Sequence, residues 1–368
     1  MGLTTCCPYP VNKCLAWDGG GFSAPIPRNY EVAEDNVANS DGDELIGWSD
    51  IAGGDWPTLL VGNGLSINIW NKFAYSELRT HAHLNSPAER LFCDLETVNF
   101  EEVLESLWHA GRVSAALGQD SAAANDLYTH VRLQLVTAIQ GVHLQWSSLP
   151  SEHLGRIAAT LDQHRWVFTL NYDLLTYWSL MNNLSSTEIV DFLWNNPFNP
   201  ADANLRSGGA TGLLFLHGGI HLWHDSLSGE SGKWTYQQQG GLLSRLGTTL
   251  DSHPDRLPLI VSEGRSEQKL RAIRRSDYLS FGYQKLWENS SPTVIFGASF
   301  GPQDAHIVRA LRSGPQRKIA ISVFPVADAA AVVATKATYR ALLPDQNLCF
   351  FDSSTHPLGD PELRVTIA

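Results

Sequence analysis

Apolar residues along this chain fall into two patterns. Short, nearly continuous apolar runs end abruptly on small or polar residues, and longer stretches between them carry apolar positions every third or fourth residue. The first pattern predicts strands buried on both faces, as in a parallel sheet with helices packed on each side. It covers Thr58–Val61 before Gly62-Asn63-Gly64, Trp166–Leu170 before Asn171-Tyr172-Asp173, and Leu213–Leu216 before His217-Gly218-Gly219. Leu257–Val261 reads as a further strand, and Thr293–Phe300, Lys318–Phe324 and Leu348–Phe351 as the strands of an α/β finish. The second pattern predicts helices over 174–183, 267–279, 304–313 and 327–343, and a helical insertion over about 67–163. Within the insertion, Phe100, Val103, Leu104 and Leu107 recur at helical spacing, with Asn99 as N-cap and Glu102 placed for a capping box. Two more helices are expected there, over 122–145 and 152–163.

Strands alternating with helices define an α/β fold: a Rossmann-like parallel sheet with helices on both faces, interrupted by the helical insertion. Ile220–His224 and Lys233–Gln237 read as a hairpin around SLSGESG, and residues 195–211, rich in Asn, Pro and Gly, as a long loop beside the strand ends. Residues 1–45 show no sustained periodicity and read as an arm or lead-in, with 46–368 as the α/β domain.

The composition, 43% hydrophobic and 17% charged, is that of a globular protein with a large core. A formal charge of −12 opposes non-specific adhesion to nucleic acid or anionic membrane, so neither is expected as a partner. The five cysteines, Cys6, Cys7, Cys14, Cys93 and Cys349, form no CxxC pair, which disfavours a zinc ribbon or a disulfide framework. With no secretory pattern at the N-terminus and no apolar run of spanning length, a reducing cytoplasm is the expected location.

In an open parallel sheet, ligands bind above the carboxyl ends of the strands, and that is where the chemistry-bearing residues fall. Gly62 and Gly64 permit a tight turn and close approach to a phosphate, with a helix starting near Ser66; an ordinary strand-to-helix turn explains them equally well. Asn171 and Asp173 are each plausible N-caps, but both cannot cap one helix, which leaves one free for a ribose hydroxyl, a water or a carboxamide. His217 ends a strand before two glycines that leave room for a ligand, with His221 and His224 as competitors; a metal held by these three is the weaker reading. Gly297-Ala298-Ser299 ends a further strand, and Ser299 either contacts a ribose or phosphate or serves the backbone, with Asp304 and His306 following.

Taken together, the motifs resemble the sirtuin-like fold. GNGLS (Gly62, Gly64, Ser66) is similar to the sirtuin GAGxS turn, and Thr169, Asn171 and Asp173 to the T-x-N-x-D motif. His217-Gly218 matches the catalytic His-Gly, and Gly297-Ala298-Ser299 resembles G-[TS]-S, all in the same order. The paired CxxC zinc module of protein deacylases and the arginine segment after the glycine turn have no counterpart. What remains resembles the sirtuin-like domains of bacterial anti-phage systems, including FGASFGPQDAHI with its Asp304 and His306. The resemblance implies cleavage of NAD, as substrate, to nicotinamide and ADP-ribose without a metal. Asp173 would hold the carboxamide, Asn171 the ribose or attacking water, and His217 would act on the ribose hydroxyls or water. Gly62, Gly64 and Ser66 would take the pyrophosphate, Ser299 the adenosine side, with Thr169 and Gly297 completing the site. It also implies restraint by homo-oligomerisation or by a separately encoded regulatory protein. A non-catalytic sensor of NAD or ADP-ribose and an NAD-dependent deacylase are the alternatives.

Overall fold

A computed structural model of the chain describes residues 42–183, 188–194, 196–202, 210–225, 228–235, 242–243, 256–262, 264–326 and 328–366. Most of the expected N-terminal arm and much of the 195–211 loop lie outside these residues. The strands are β1 (Thr58–Val61), β2 (Trp166–Thr169), β3 (Ile189–Val190), β4 (Thr211–Phe215), β5 (Gly218–Asp225), β6 (Ser231–Lys233), β7 (Arg256–Ile260), β8 (Thr293–Phe296), β9 (Lys318–Val323) and β10 (Asn347–Asp352).

Seven of them form one sheet in the order β10-β9-β8-β1-β2-β4-β3, and every pairing in it is parallel. Leu59 of β1 lies opposite Val167 of β2 on one side and Val294 of β8 on the other. Leu59, Leu60 and Val61 have no exposed surface, which is why this strand reads as a continuous apolar run rather than an alternating one. From β1 the chain builds outward through β2 and β4, then returns to the other side of β1 with β8, β9 and β10. The order therefore reverses at β1/β8, and a crevice opens above the strand ends there.

β5, β6 and β7 form a separate antiparallel sheet in the order β6-β5-β7. A hairpin is present, with Trp223 opposite Gly232, but its return strand is Ser231–Lys233, earlier than the expected Lys233–Gln237 and mostly within the stretch expected as its loop. β7 is an edge strand of this sheet, a place that tolerates Pro258, which has no N–H to give a ladder. β5 begins immediately after His217 on Gly218, whose φ of +77° and contact with the Leu259 carbonyl leave no space for a Cβ.

The helices are α1 (Gly64–Ile69), α2 (Tyr75–His81), α3 (Ser86–Asp94), α4 (Phe100–Ala116), α5 (Ala122–Val142), α6 (Ser151–Leu161), α7 (Leu175–Asn182), α8 (Ser266–Arg275), α9 (Asp277–Trp287), α10 (Ala305–Arg312) and α11 (Ala329–Leu342). The predicted insertion, about 67–163, holds α2 to α6. Asn99 caps α4 as expected, its Oδ1 accepting from Glu101 N–H at 2.9 Å, and Phe100, Val103 and Leu104 on its inner face are fully buried. The single helix expected over 267–279 is two. Ser276 takes extended backbone angles, and its Oγ caps α9 by accepting from Leu279 N–H at 3.2 Å. Among the described residues, no helix is long and apolar enough to cross a membrane.

Candidate functional site

Above the carboxyl ends of β1, β2, β4 and β8 lies a cavity of about 120 Å³, several times the roughly 10–15 Å³ that admits one water. Asn63, Asn171, Asp173, His217 and Ser299 line it from the strand ends, joined by Lys269 from α8 and Asp304 ahead of α10. Phe73, Leu78, Phe100, Leu135 and Ile139 of the insertion supply an apolar wall on its other side. Ring-sized organic ligands suit such a mixture of one apolar wall and converging polar groups.

Neither Asn171 nor Asp173 is the N-cap of α7, which is Leu174, but Asp173 serves the helix start from one residue before it. Its Oδ1 accepts from Leu175 N–H at 2.8 Å, while its Oδ2 accepts the Ser66 hydroxyl proton at 2.5 Å. Asn171 Nδ2 donates to Ser66 Oγ at 2.9 Å, and its backbone N–H donates to Thr169 Oγ1 at 3.2 Å. The remaining atom, Asn171 Oδ1, is buried without a hydrogen-bond partner. A buried amide oxygen left unpaired in a ligand-sized cavity is a ready acceptor for a hydroxyl or water. Thr169 and Ser66, both fully buried and neither lining the cavity, hold Asn171 and Asp173 in place from behind.

The glycine turn serves the sheet as much as the cavity. Gly62 N–H donates to the Phe296 carbonyl at 2.9 Å and Gly64 N–H to the Gly297 carbonyl at 2.7 Å, so both amides are already paired with the β8 end. A Cβ on Gly62 would lie 2.5 Å from the Ala298 Cα, and one on Gly64 2.5 Å from the Gly297 Cα. The two loops therefore meet backbone to backbone. Gly62, Gly297 and Ser299 line the cavity and Gly64 does not.

His217 is fixed from behind by His306, with the two Nε2 atoms 2.9 Å apart. Both rings are almost wholly buried. Burial, reinforced by the Lys269 ammonium, holds His217 well below the usual histidine range and His306 at about 3, so both are neutral at physiological pH. The competing histidines lie apart from them. His221 stacks on Tyr177 with centroids 4.5 Å apart, and His224 Nδ1 faces Ser231 Oγ at 3.5 Å.

Lys269 was not singled out by the sequence, nor was Glu101. The ammonium lies 2.9 Å from Glu101 Oε1 and 3.0 Å from Asp304 Oδ1, with only 2% of the lysine side chain exposed. The Tyr172 hydroxyl donates to the Val261 carbonyl at 2.7 Å and lies 3.3 Å from the same Glu101 oxygen. Burial raises the Glu101 carboxyl against the pull of Lys269, while the two carboxylates raise Lys269 against its burial. Glu101 belongs to α4, so this ion-pair triad ties the insertion to the strand-end loops. The acceptor atoms of His217, Asp304 and His306 lie within 4.8 Å of one another, close enough to meet at a metal ion. The Lys269 ammonium already supplies positive charge at that carboxylate.

The fold and crevice define a doubly wound, Rossmann-like α/β protein with a ligand-type pocket at its topological switch point. The chain belongs to a family described as a domain of unknown function, DUF4917, whose model matches residues 59–358 and so spans every strand of the parallel sheet. No curated protein matches the chain.

Proposed function

We propose that the protein is an NAD glycohydrolase, cleaving NAD to nicotinamide and ADP-ribose, of the kind that depletes NAD in bacterial anti-phage defence. The observation that carries the reading is the unpaired Asn171 Oδ1, in a cavity shared with His217 and walled on one side by apolar side chains. Breaking the nicotinamide–ribose bond develops oxocarbenium character. It is helped by a dry slot for the leaving base, acceptors for ribose hydroxyls and a positioned water. In this reading the apolar wall receives the nicotinamide ring, Asn171 Oδ1 accepts from the ribose or the attacking water, and neutral His217 acts as acceptor or general base. Because the Gly62 and Gly64 amides are paired with β8, the pyrophosphate is assigned to the surface between Gly62 and Ser299.

The test is incubation of the purified chain with NAD, following nicotinamide and ADP-ribose by chromatography, beside Asn171→Ala and His217→Ala. Release by the wild type that both substitutions abolish, with NAD binding retained, supports the reading. Release only with an acylated peptide present would make the protein a deacylase. Saturable NAD or ADP-ribose binding without turnover would make it a sensor, or an enzyme awaiting a partner, and no binding at all would end the proposal.

A further inference from the structure

His306 sits behind the cavity wall rather than in it, 89 residues from His217 in sequence and in hydrogen-bond contact with it. Its Nε2 is engaged by His217, and its Nδ1 lies 3.3 Å from Ser266 Oγ, a hydroxyl with lone pairs to accept a ring proton. For the lone pair of His217 to serve as acceptor or general base in the cavity, as the proposed function asks, His217 is the donor across the 2.9 Å contact, and His306 presents its bare Nε2 and carries Nδ1–H toward Ser266. Protonated on Nε2, neutral His217 has its free lone pair on Nδ1, and that nitrogen has no hydrogen-bond partner among the described residues. The backbone carbonyl of His306 is anchored as well, accepting from the Tyr283 hydroxyl at 2.9 Å.

We propose that His306 is a positioning residue that fixes the tautomer of His217, so that the lone pair of His217 Nδ1 serves the reaction in the cavity. The chain runs Ser266 Oγ, His306 Nδ1–H, His306 Nε2, His217 Nε2–H, and then the open Nδ1. Lys269 lies against this pair from α8, Asp304 from the turn before α10 and Arg309 from α10 itself. The two cations disfavour a proton shared as charge between the rings, so the dyad stays a single directed hydrogen bond. Without His306 the imidazole of His217 can hold its proton on either nitrogen, and the productive form is only part of the population.

The kinetic arm of the test rests on the NAD-cleaving reading, whereas the spectroscopic arm does not. In the wild-type protein labelled with ¹⁵N-histidine, the His217 signals, assigned by their loss in His217→Ala, should show a protonated Nε2 and a bare Nδ1. His306→Leu should abolish that single pattern. It should lower kcat by about 10- to 100-fold with KM for NAD changed less than about twofold, since orienting a histidine tautomer is worth up to about 10⁴-fold where catalysis depends on it. His306→Gln, whose amide oxygen can accept at the place of Nε2, should restore most of kcat. A His217 protonated on Nδ1 in the wild type overturns the proposal, and so does full kcat in His306→Leu. Loss of wild-type turnover on dialysis against a chelator, restored by a divalent cation, would also overturn it, because the two Nε2 atoms would then face a metal. If the wild type releases no nicotinamide, the function has failed, and the ¹⁵N spectrum still decides the tautomer.

Discussion

Ser66 and Asp173 are 107 residues apart in the chain, and the hydroxyl of one donates to the carboxylate of the other at 2.5 Å. Through this contact the start of α1 is bound to the start of α7, with Asn171 held in between by its own donation to Ser66 Oγ. A buried carboxylate satisfied by one hydroxyl and one amide loses its compensation when either donor goes. Ser66→Ala should therefore lower stability by about 1–3 kcal/mol, the cost of leaving a buried polar group short of a partner. Asp173→Ala should cost more, because it also leaves the buried Leu175 N–H at the start of α7 without its acceptor, a further loss of about 1–3 kcal/mol. Urea denaturation of both variants checks the ranking. A Ser66→Ala protein as stable as the wild type would mean that the hydroxyl is not the carboxylate's partner in solution.

Lys269, with its two carboxylates, makes a sharper prediction. Replacing the ammonium by an apolar chain of similar length strands Glu101 and Asp304 inside the protein, and Lys269→Met should cost about 3–5 kcal/mol. Adding Glu101→Gln removes one of the stranded charges and should return part of that loss. Since the triad joins α4 to the strand ends, limited proteolysis of Lys269→Met should cut first within the insertion. Equal loss from the single and the double variant, read from urea midpoints, would contradict the proposed charge compensation.

How much of this the sequence disclosed follows from the range of each interaction. Strands such as TVIF and KIAISV were legible because residues buried on both faces leave an unbroken apolar run, and the Asn99 cap because it acts within its own turn. That Asp173 serves the start of α7 was legible too, because its bond to Leu175 N–H acts across two residues, although the N-cap itself is Leu174. The break at Ser276 was hidden because its hydroxyl also bonds Ser231 Oγ, 45 residues away at 2.8 Å, a tertiary contact that no local pattern announces. Glu101 reads as one more acid on an amphipathic helix until its partner, 168 residues later, is brought beside it. The dual use of the glycine turn was equally out of reach. Its motif predicts close backbone approach, and only the β1/β8 pairing shows that the near neighbour is the Gly297 loop.

That near neighbour gives the third prediction. A methyl group on Gly62 would sit 2.5 Å from Ala298 Cα and 2.6 Å from the Gly297 carbonyl oxygen, both backbone atoms that cannot rotate away. Gly62→Ala should force the two loops apart, at a cost of about 1–3 kcal/mol, and open the cavity between β1 and β8. The ligand-binding consequence should exceed the stability loss, with NAD affinity reduced in a variant that still folds cooperatively. Calorimetric titration of Gly62→Ala with NAD that gives the wild-type affinity would show that this surface does not meet the ligand.

Acid should unfold the protein earlier than its carboxylates alone would. His143, His164, His217, His221, His306 and His356 are all buried, and burial holds each below the ordinary histidine value of 6.5; His221, His306 and His356 are held at about 3. In the unfolded chain these rings take up protons as the pH falls through about 6.5, while in the folded protein they do not. Protons then bind preferentially to the unfolded state, and stability declines as the pH drops. For His221, His306 and His356, held at about 3, the loss is about 1 kcal/mol each between pH 6.5 and 5.5, and about 1.4 kcal/mol per further pH unit down to the folded value; His143, His164 and His217 act in the same direction. Glu101 and Asp162, whose carboxyls are raised by burial, act in the opposite sense, favouring the folded state as they protonate, but they are two groups against six. Urea midpoints should thus be nearly flat from pH 8 to 7 and fall steeply from 6.5 to 5.5, a decline of several kcal/mol against the roughly 5–15 kcal/mol that stabilises a folded protein. A midpoint unchanged at pH 5.5 would mean that the buried rings accept protons in the folded state. The neutral His217–His306 pair on which the site is built would then be wrong.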